Sequence, residues 1–354
     1  MKRAIIIPTF SGHFKYVKDF LCTYQKNVYN SQNVDINFIL SNTEEKAELE
    51  ELISNYDVKN IFCYSIIDIL NAYNIRTAQI DLLEELGKFS YQTIKKLYAA
   101  HYLKYEQSLI LDSESLICAR VNINKLFDNY FRSPYVFYSN MPDDIDYVNS
   151  LDYQTSINVS KILNIEFDHC WYLEGFHWFY DINILNDLFK FFNDNLFDVI
   201  YNFSKNKVGF SKAVFECILY YKFIKMYNSK YQYNYVNSTE ILKNQVSKKE
   251  LSRIANKMIE RNCKNLPFTI HGFEFGKVRN IVVWAKFLKK YKCQIIRLYP
   301  IKDANKLYII KKMIYDFQTK IICSTDNVGM YKDIAIKKNY FFIPLIFSED
   351  CNQW

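Results

Sequence analysis

Short apolar runs alternate with longer amphipathic segments along the N-terminal third of the chain. Three apolar runs predict strands, at 2–8, 36–40 and 58–64. Two segments between them carry apolar residues at helical spacing, at 13–27 and 44–56, and we assign Thr43 as the N-cap of the second. This β-α-β-α-β order predicts an α/β fold with a mostly parallel sheet covered by helices.

A fourth strand ends in two acids. A helix is predicted over 90–105, and Lys95 and Lys96 lie outside its apolar stripe. The strand Leu109–Leu111 follows and stops at Asp112-Ser113-Glu114. Residues i and i+2 of an extended segment point the same way, so both carboxylates face one site. That site lies past the carboxyl end of a strand, where open α/β sheets bind ligands. Two hard oxygen donors there suit Mg²⁺ or Mn²⁺ on a diphosphate.

The pattern is less regular beyond residue 140. The stretch 140–170 is polar, and we expect loops that cover the site. Further strands are predicted at 170–180, 230–235 and 268–271, and further helices at 183–193 and 211–227. The tail from about 280 fits a small α/β extension or a dimerisation element. The chain therefore divides into 1–140, 141–279 and 280–354.

Composition narrows the class of protein. Half of the 354 residues are hydrophobic, which is enough for a large core. The 30 Tyr and 28 Phe, with abundant Asn, Ile and Lys, are typical of an AT-rich genome and are not evidence of ligand stacking. The net charge of +7 is too diffuse for nucleic acid but suits anionic substrates or an anionic membrane face.

Cysteine and glycine usage excludes several kinds of site. The nine cysteines form no CxxC pair, and the N-terminus lacks a signal-peptide pattern, so we expect a cytoplasmic protein without disulfides or structural zinc. No segment approaches the length of a membrane span. The seven glycines form neither a GxGxxG motif nor a Walker loop. We therefore expect a metal ion and side chains, rather than a glycine-rich backbone loop, to bind the phosphates of a ligand.

The N-terminal half resembles the GT-A glycosyltransferases. Their first strand ends in Pro-Thr or Pro-Ser, as Ile5-Ile6-Ile7-Pro8-Thr9 does, and a Lys- or Arg-bearing helix precedes their Asp-x-Asp strand end. The resemblance covers 1–140 well and 170–275 loosely. Glu114 replaces the second Asp of the motif, and its longer side chain favours contact with a metal through water. The resemblance implies a GT-A-like sheet and a nucleoside diphosphate sugar as donor.

Two later motifs extend the resemblance. Phe215-Glu216-x-x-x-Tyr220 resembles a helix start in bacterial polysaccharide transferases, which implies that Glu216 faces the acceptor. Thr269-Ile270-His271-Gly272 resembles a late strand whose histidine completes the metal shell. Lys277 is loosely similar to a diphosphate-binding lysine of retaining enzymes, although the spacing does not match.

Each of these residues also has a plain structural interpretation. Asp112 and Glu114 can belong to an ordinary turn capped by Ser113, and His271 can be a strand-end histidine. Glu216 can face solvent or pair with Lys212, and Glu174 competes with it as catalytic base. Lys95 and Lys96 are expected mainly as a solvated helix face.

Our hypothesis from the sequence is a metal-assisted glycosyltransferase that moves a sugar to a glycan or lipid-linked glycan hydroxyl. The setting we expect is bacterial capsule or lipooligosaccharide synthesis, with peripheral association at the inner membrane face. The expected nucleotide-sugar-binding residues are Pro8, Thr9, Phe10, Asn42, Lys95, Asp112, Ser113 and Lys277. The expected metal ligands are Asp112, Glu114 and His271, and the expected bases are Glu216 and Glu174.

Two other classes compete with this hypothesis. A non-catalytic GT-A-like module that binds glycan or scaffolds an assembly would tolerate Glu114 in place of Asp. A nucleotidyltransferase that makes the activated sugar is disfavoured, because no Gly-rich loop follows the first strand.

Overall fold

A computed structural model describes most of residues 1–237. The gaps are 77–80, 114, 118–120, 141–150 and 173–177, and three two-residue strands are described beyond 237. The strands are β1 Arg3–Pro8, β2 Val28–Tyr29, β3 Val34–Leu40, β4 Ile61–Ser65, β5 Gln107–Ile110, β6 Leu116–Ile117, β7 Val121–Asn122, β8 Tyr135–Asn140, β9 Cys170–Trp171, β10 Trp178–Asp181, β11 Asn234–Asn237, β12 Ile295–Ile296, β13 Ile321–Ile322 and β14 Phe341–Phe342.

The helices lie between these strands. They are α1 Phe14–Asn27, α2 Thr43–Ile53, α3 Ile66–Ala72, α4 Leu82–Leu103, α5 Ile123–Arg132, α6 Leu151–Leu163, α7 Ile182–Phe191, α8 Leu196–Ser204, α9 Glu216–Met226 and α10 Asn228–Tyr231. Single 3-10 turns occupy Ser11–His13 and Gly209–Lys212. Among the described helices, none is long and apolar enough to cross a bilayer.

The central sheet has the strand order β10-β5-β1-β3-β4. Strands β1, β3, β4 and β5 are parallel, while β10 runs antiparallel to β5. Ile5 lies opposite Ile36 on one side and Leu109 on the other, so the near-continuous apolar runs form the buried middle of the sheet. The predicted α/β fold with a mostly parallel, helix-covered sheet is confirmed.

The order of the strands creates a switch point beside β1. The chain moves outward from β1 to β3 and β4, and then returns to place β5 on the other side of β1. Because crossovers between parallel strands are right-handed, α1 and α2 cover one face and α4 covers the other. The carboxyl ends of β1 and β5 therefore flank the crevice in which open α/β sheets bind ligands.

The described residues also form smaller sheets. Strand β8 pairs in parallel with β11 and antiparallel with β9. The short strands pair as β2 with β7, β6 with β12 and β13 with β14. The proposed division at residues 140 and 280 stays a prediction.

Several predicted boundaries were wrong. The N-cap of α2 is Asn42, whose Oδ1 accepts from the Glu45 backbone N–H at 2.8 Å, and not Thr43. The stretch expected to be loops contains α6, and α10 occupies the start of the strand predicted at 230–235. Helix α6 was missed because most of its buried residues are polar. Thr155, Ser156, Asn158 and Ser160 are buried beside Val159 and Leu163.

Helix α4 begins eight residues earlier than predicted and is broken at Gly87. Asp81 caps its first turn, and Gly87 then takes φ 71° and ψ 164°, which is not helical. Lys212 closes the break, because its Nζ donates to the carbonyl oxygens of Glu84 at 3.0 Å and Glu85 at 3.4 Å. A Cβ on Gly87 would lie 2.6 Å from Lys212 Cε.

We expect Gly87→Ala to lower the free energy of unfolding by about 2 kcal/mol or more, since its backbone conformation is essentially restricted to glycine. The added methyl would also displace Lys212 from both carbonyl oxygens. Urea denaturation measures the change. Gly209→Ala is the control, since Gly209 also has a positive φ, of 58°, but nothing within 4 Å of a Cβ. Its cost should be about 1 kcal/mol, and equal costs for the two variants would contradict the special conformation and contacts assigned to Gly87.

Candidate active site

Two loops meet at the switch point of the sheet. One follows β1 and carries Thr9 to His13, and the other follows β5 and carries Asp112 and Ser113. His13 Nδ1 and Ser113 Oγ form a hydrogen bond of 2.6 Å, which joins the two loops. The Phe10 ring packs 4.2 Å from the His13 ring and is 43% exposed, so it presents an aromatic face at the edge of the sheet.

Glu45 connects the β1 loop to the end of β3. Its Oε1 accepts from the Ser11 backbone N–H at 3.0 Å and its Oε2 accepts from the Ser41 backbone N–H at 2.9 Å. Partial burial raises the pKa of this carboxyl, but the bonds from Ser11 and Ser41 outweigh it and hold the pKa below its usual value. Glu45 therefore stays ionised while it fixes both loops.

Lys95 is buried beneath the same loops. Its Nζ donates to the Thr9 carbonyl oxygen at 2.8 Å and to Ser41 Oγ at 3.3 Å. Burial lowers the pKa of Lys95 to about 7, although the charge of Glu45 opposes that shift. The expectation that Lys95 and Lys96 form a solvated helix face was wrong, because both are buried.

Lys96 lies between two carboxylates. Its Nζ is 3.0 Å from Asp112 Oδ1 and 2.7 Å from Glu216 Oε1, and it sits 4.3 Å from the centroid of the Trp178 ring. The side chains of Lys96, Asp112 and Glu216 are 4%, 14% and 3% exposed. Burial alone would lower the pKa of Lys96, but the two carboxylates outweigh it and raise the pKa. Lys96 is therefore a permanent cation that both acids share.

The segment 210–214 places Glu216 at this position. Residues 210–214 are held by side chains from three helices, of which Asn158 donates to the carbonyl oxygens of Phe210, Ser211 and Ala213. Ser90 and Thr93 of α4 bond to Lys212 and Val214. Glu216 then starts α9, where the positive end of the helix dipole favours a carboxylate.

The structure brings together the predicted residues that it describes. Thr9, Phe10, Lys95, Asp112 and Ser113 all lie around the switch point. Pro8 is buried in β1, and the Asn42 side chain caps α2. Glu114, Glu174, His271 and Lys277 lie outside the described residues, so their roles stay predictions.

The surroundings of Glu216 differ from both structural interpretations of the sequence, in which it faces solvent or pairs with Lys212. Its carboxylate is not turned to solvent and pairs with Lys96, while Lys212 reaches the start of α4. The role of Glu216 as the base stays a prediction.

Two side chains that build the candidate site were missed from the sequence. Lys96 was placed on the exposed face, and Glu45 was assigned no role. A signal for Lys96 was present, since Ser90, Thr93 and Lys96 recur every third position and so share a helix face. Small polar residues on that face indicate close packing against another segment rather than exposure to water.

Comparisons with known proteins give likenesses of fold only. No family model and no curated protein sequence matches the chain. Solved structures similar to it include the mannosyltransferase Ktr4p of S. cerevisiae, with 8% identity and a TM-score of 0.33 over 55% of this chain and 60% of that chain. The matched part therefore spans less than two thirds of Ktr4p.

Two further solved structures are similar at the same level. Mouse xyloside xylosyltransferase 1 has 8% identity and a TM-score of 0.36 over 67% of this chain and 85% of that chain. S. aureus TarS 1–349 has 14% identity and a TM-score of 0.31 over 82% of this chain and 71% of that chain, and it is also solved with UDP. Likenesses this distant do not decide the chemistry of the site.

We expect Lys95→Met to remove a pH dependence of stability. The unfolded chain holds the Lys95 proton up to about pH 10.5, whereas the folded chain releases it near pH 7. Stability rises with pH wherever the unfolded state binds more protons. The wild-type free energy of unfolding should therefore rise from pH 7 to 10 relative to the variant, by up to about 4 kcal/mol.

Urea denaturation at pH 7 and at pH 9.5 measures this difference. Lys88→Met is the matched control, because Lys88 is exposed on the same helix. The free energy of unfolding of Lys88→Met should change with pH as that of the wild type does. If the free energy of unfolding of Lys95→Met also changes with pH as that of the wild type does, Lys95 does not titrate in this range.

Proposed function

We propose that the protein is a glycosyltransferase that transfers a sugar from a nucleoside diphosphate sugar to a hydroxyl of a glycan or lipid-linked glycan. The observation that carries the proposal is the position of Asp112. It follows a buried strand at the switch point, lies beside the β1 loop and is oriented by Lys96. This is the place at which α/β sheets bind nucleotides.

The surrounding residues suit a nucleoside diphosphate. The exposed Phe10 ring offers a stacking face for a base, and the buried Thr9 hydroxyl has no hydrogen-bond partner among the described residues. Lys95 lies behind the same loop and would gain a proton as an anion approached, because its pKa is near 7. Asp112 would accept hydrogen bonds from hydroxyl groups of the donor.

A divalent ion is part of the proposal only in outline. Asp112 would hold it with Glu114 and His271, and the bound ion would neutralise charge on the departing diphosphate. Among the described residues, no group of three or more His, Cys, Asp or Glu side chains could hold a metal ion, and Asp112 Oδ1 already contacts Lys96. The described residues therefore do not by themselves complete a site for the ion.

Glu174 is the better candidate for the base that takes the acceptor proton. A base must reach the hydroxyl within hydrogen-bond distance. Glu216 is almost fully buried, with Oε1 at 2.7 Å from Lys96 Nζ and Oε2 at 3.3 Å from Thr93 Oγ1. Both of its oxygens are thus engaged inside the protein, which leaves Glu174 as the other acid of the sequence hypothesis.

The biological setting follows from composition alone. An AT-rich signature and a mild positive charge support a bacterial enzyme of capsule or lipooligosaccharide synthesis at the inner membrane face.

A non-catalytic glycan-binding module is the second candidate. The observation that favours it is the contact between Asp112 and Lys96, which already neutralises the acid that would serve the donor. Such a module would show no heat of binding with nucleotides, whereas the transferase must bind at least one.

We expect calorimetry with UDP, GDP and CMP, each with Mn²⁺, to detect binding of one nucleotide to the wild type. Asp112→Asn should weaken that binding by about tenfold or more, because a charge-assisted hydrogen bond is lost. Asp57→Asn is the matched control, since Asp57 is exposed on the surface. Repeating the titration with excess chelator tests the ion separately.

Three outcomes separate the candidates. Equal affinities of Asp112→Asn and the wild type would contradict the assigned site. Absence of nucleotide binding to the wild type would favour the glycan-binding module. Unchanged affinity in chelator would remove the ion from the proposal but leave the transferase intact.

We expect Glu174→Gln to lower the rate of sugar transfer by about 100-fold or more while nucleotide affinity stays unchanged, because the loss falls on proton transfer alone. Transfer to a glycan acceptor is followed by mass spectrometry. Glu166→Gln is the control, as Glu166 is an exposed acid that precedes Glu174 in the chain. A Glu174→Gln variant with nearly full transfer rate would exclude Glu174 as the base.

A further inference from the structure

Glu216 and Asp112 approach Lys96 from different parts of the fold. Asp112 follows β5, Lys96 lies in the middle of α4, and Glu216 is the first residue of α9. Two of the three donor positions of the ammonium are taken by the carboxylates, at 3.0 and 2.7 Å, and the Trp178 ring lies 4.3 Å away. The ammonium group of Lys96 is therefore held between the two acids.

The three side chains differ in their access to the crevice. Asp112 is the most exposed of them at 14%, while Lys96 and Glu216 are 4% and 3% exposed. A ligand in the crevice can therefore reach Asp112 before it reaches either of the others. Glu216 is therefore placed to influence a ligand through the position and charge of Lys96.

We propose that Glu216 is a positioning residue, which fixes Lys96 and thereby sets the orientation of Asp112 for donor binding. This inference rests on the proposed function, because it concerns the nucleotide site of the same enzyme. This role places Glu216 on the donor side of the site, whereas the sequence resemblance implied that Glu216 faces the acceptor.

The energetics support a shared arrangement. An ammonium that is removed from water is costly unless its charge is compensated. With Glu216 present, Lys96 is held from two sides and Asp112 keeps a fixed partner. Without the Glu216 charge, the Lys96 ammonium can shift toward Asp112. The Asp112 carboxylate then loses its fixed orientation.

The test measures nucleotide affinity by calorimetry, with whichever of UDP, GDP and CMP binds the wild type in the presence of Mn²⁺. Glu216→Gln should weaken binding by at least about fivefold, as expected for residues in one ion-pair network. The double variant Asp112→Asn/Glu216→Gln should bind no more weakly than Asp112→Asn alone. That non-additivity is a readout that a general loss of stability would not give.

A second ion pair, in which the lysine is buried, provides the control. Asp168 Oδ1 lies 2.7 Å from Lys222 Nζ, the same distance as Glu216 from Lys96, and Lys222 is fully buried. Asp168→Asn should lower the midpoint of thermal unfolding as Glu216→Gln does, yet leave nucleotide affinity unchanged. If Glu216→Gln unfolds the protein, Lys96→Met/Glu216→Gln removes both buried charges together and should keep the fold with weak nucleotide binding.

Each remaining outcome overturns the inference. Unchanged affinity of Glu216→Gln with a loss of transfer rate of about 100-fold would make Glu216 the base instead. Additive losses in the double variant would show that Glu216 acts independently of Asp112, and an equal loss in Asp168→Asn would show a general structural effect. Absence of nucleotide binding to the wild type would overturn the proposed function as well, so the two failures are distinguishable.

Discussion

The contact of one buried ammonium with two carboxylates determines how the site is built. Lys96 lies between Asp112 and Glu216, and none of the three could be buried so deeply without the others. This requirement links the end of a sheet strand, the middle of a helix and the start of a later helix. The fold must bring all three elements to one point, and the hydrogen bonds that hold residues 210–214 keep the last of them in place.

The sheet supplies the frame for this contact. The reversal of strand order beside β1 separates the carboxyl ends of β1 and β5, so a ligand can enter between the loops that follow them. Glu45 and the bond between His13 and Ser113 hold these loops together. The described site is therefore fixed mainly by side chains that bond to loop backbone, as expected for a chain without glycine-rich phosphate loops.

Much of the frame could be predicted from the sequence, because buried parallel strands are nearly continuous apolar runs. The presence of β1, β3, β4 and β5 along the chain and the position of Asp112 after a strand follow from such local patterns, whereas the order of the strands in the sheet does not. Helix α6 could not be found in this way, since most of its buried side chains are polar and are satisfied by distant partners, as Asn158 is by the Ala213 carbonyl oxygen. Its burial depends on distant partners.

The sequence by itself determined which residues end the strands, and hence that Thr9, Asp112 and Ser113 belong to one edge of the sheet. Only the tertiary structure decided that Lys95 and Lys96 are buried and that Glu216 pairs with Lys96. Helix α4 packs on β1 and also contacts α7, α8 and α9, so it has no solvated side there. A lysine that finds a carboxylate across such an interface has the same local sequence pattern as one in water, because the partner lies 120 residues away.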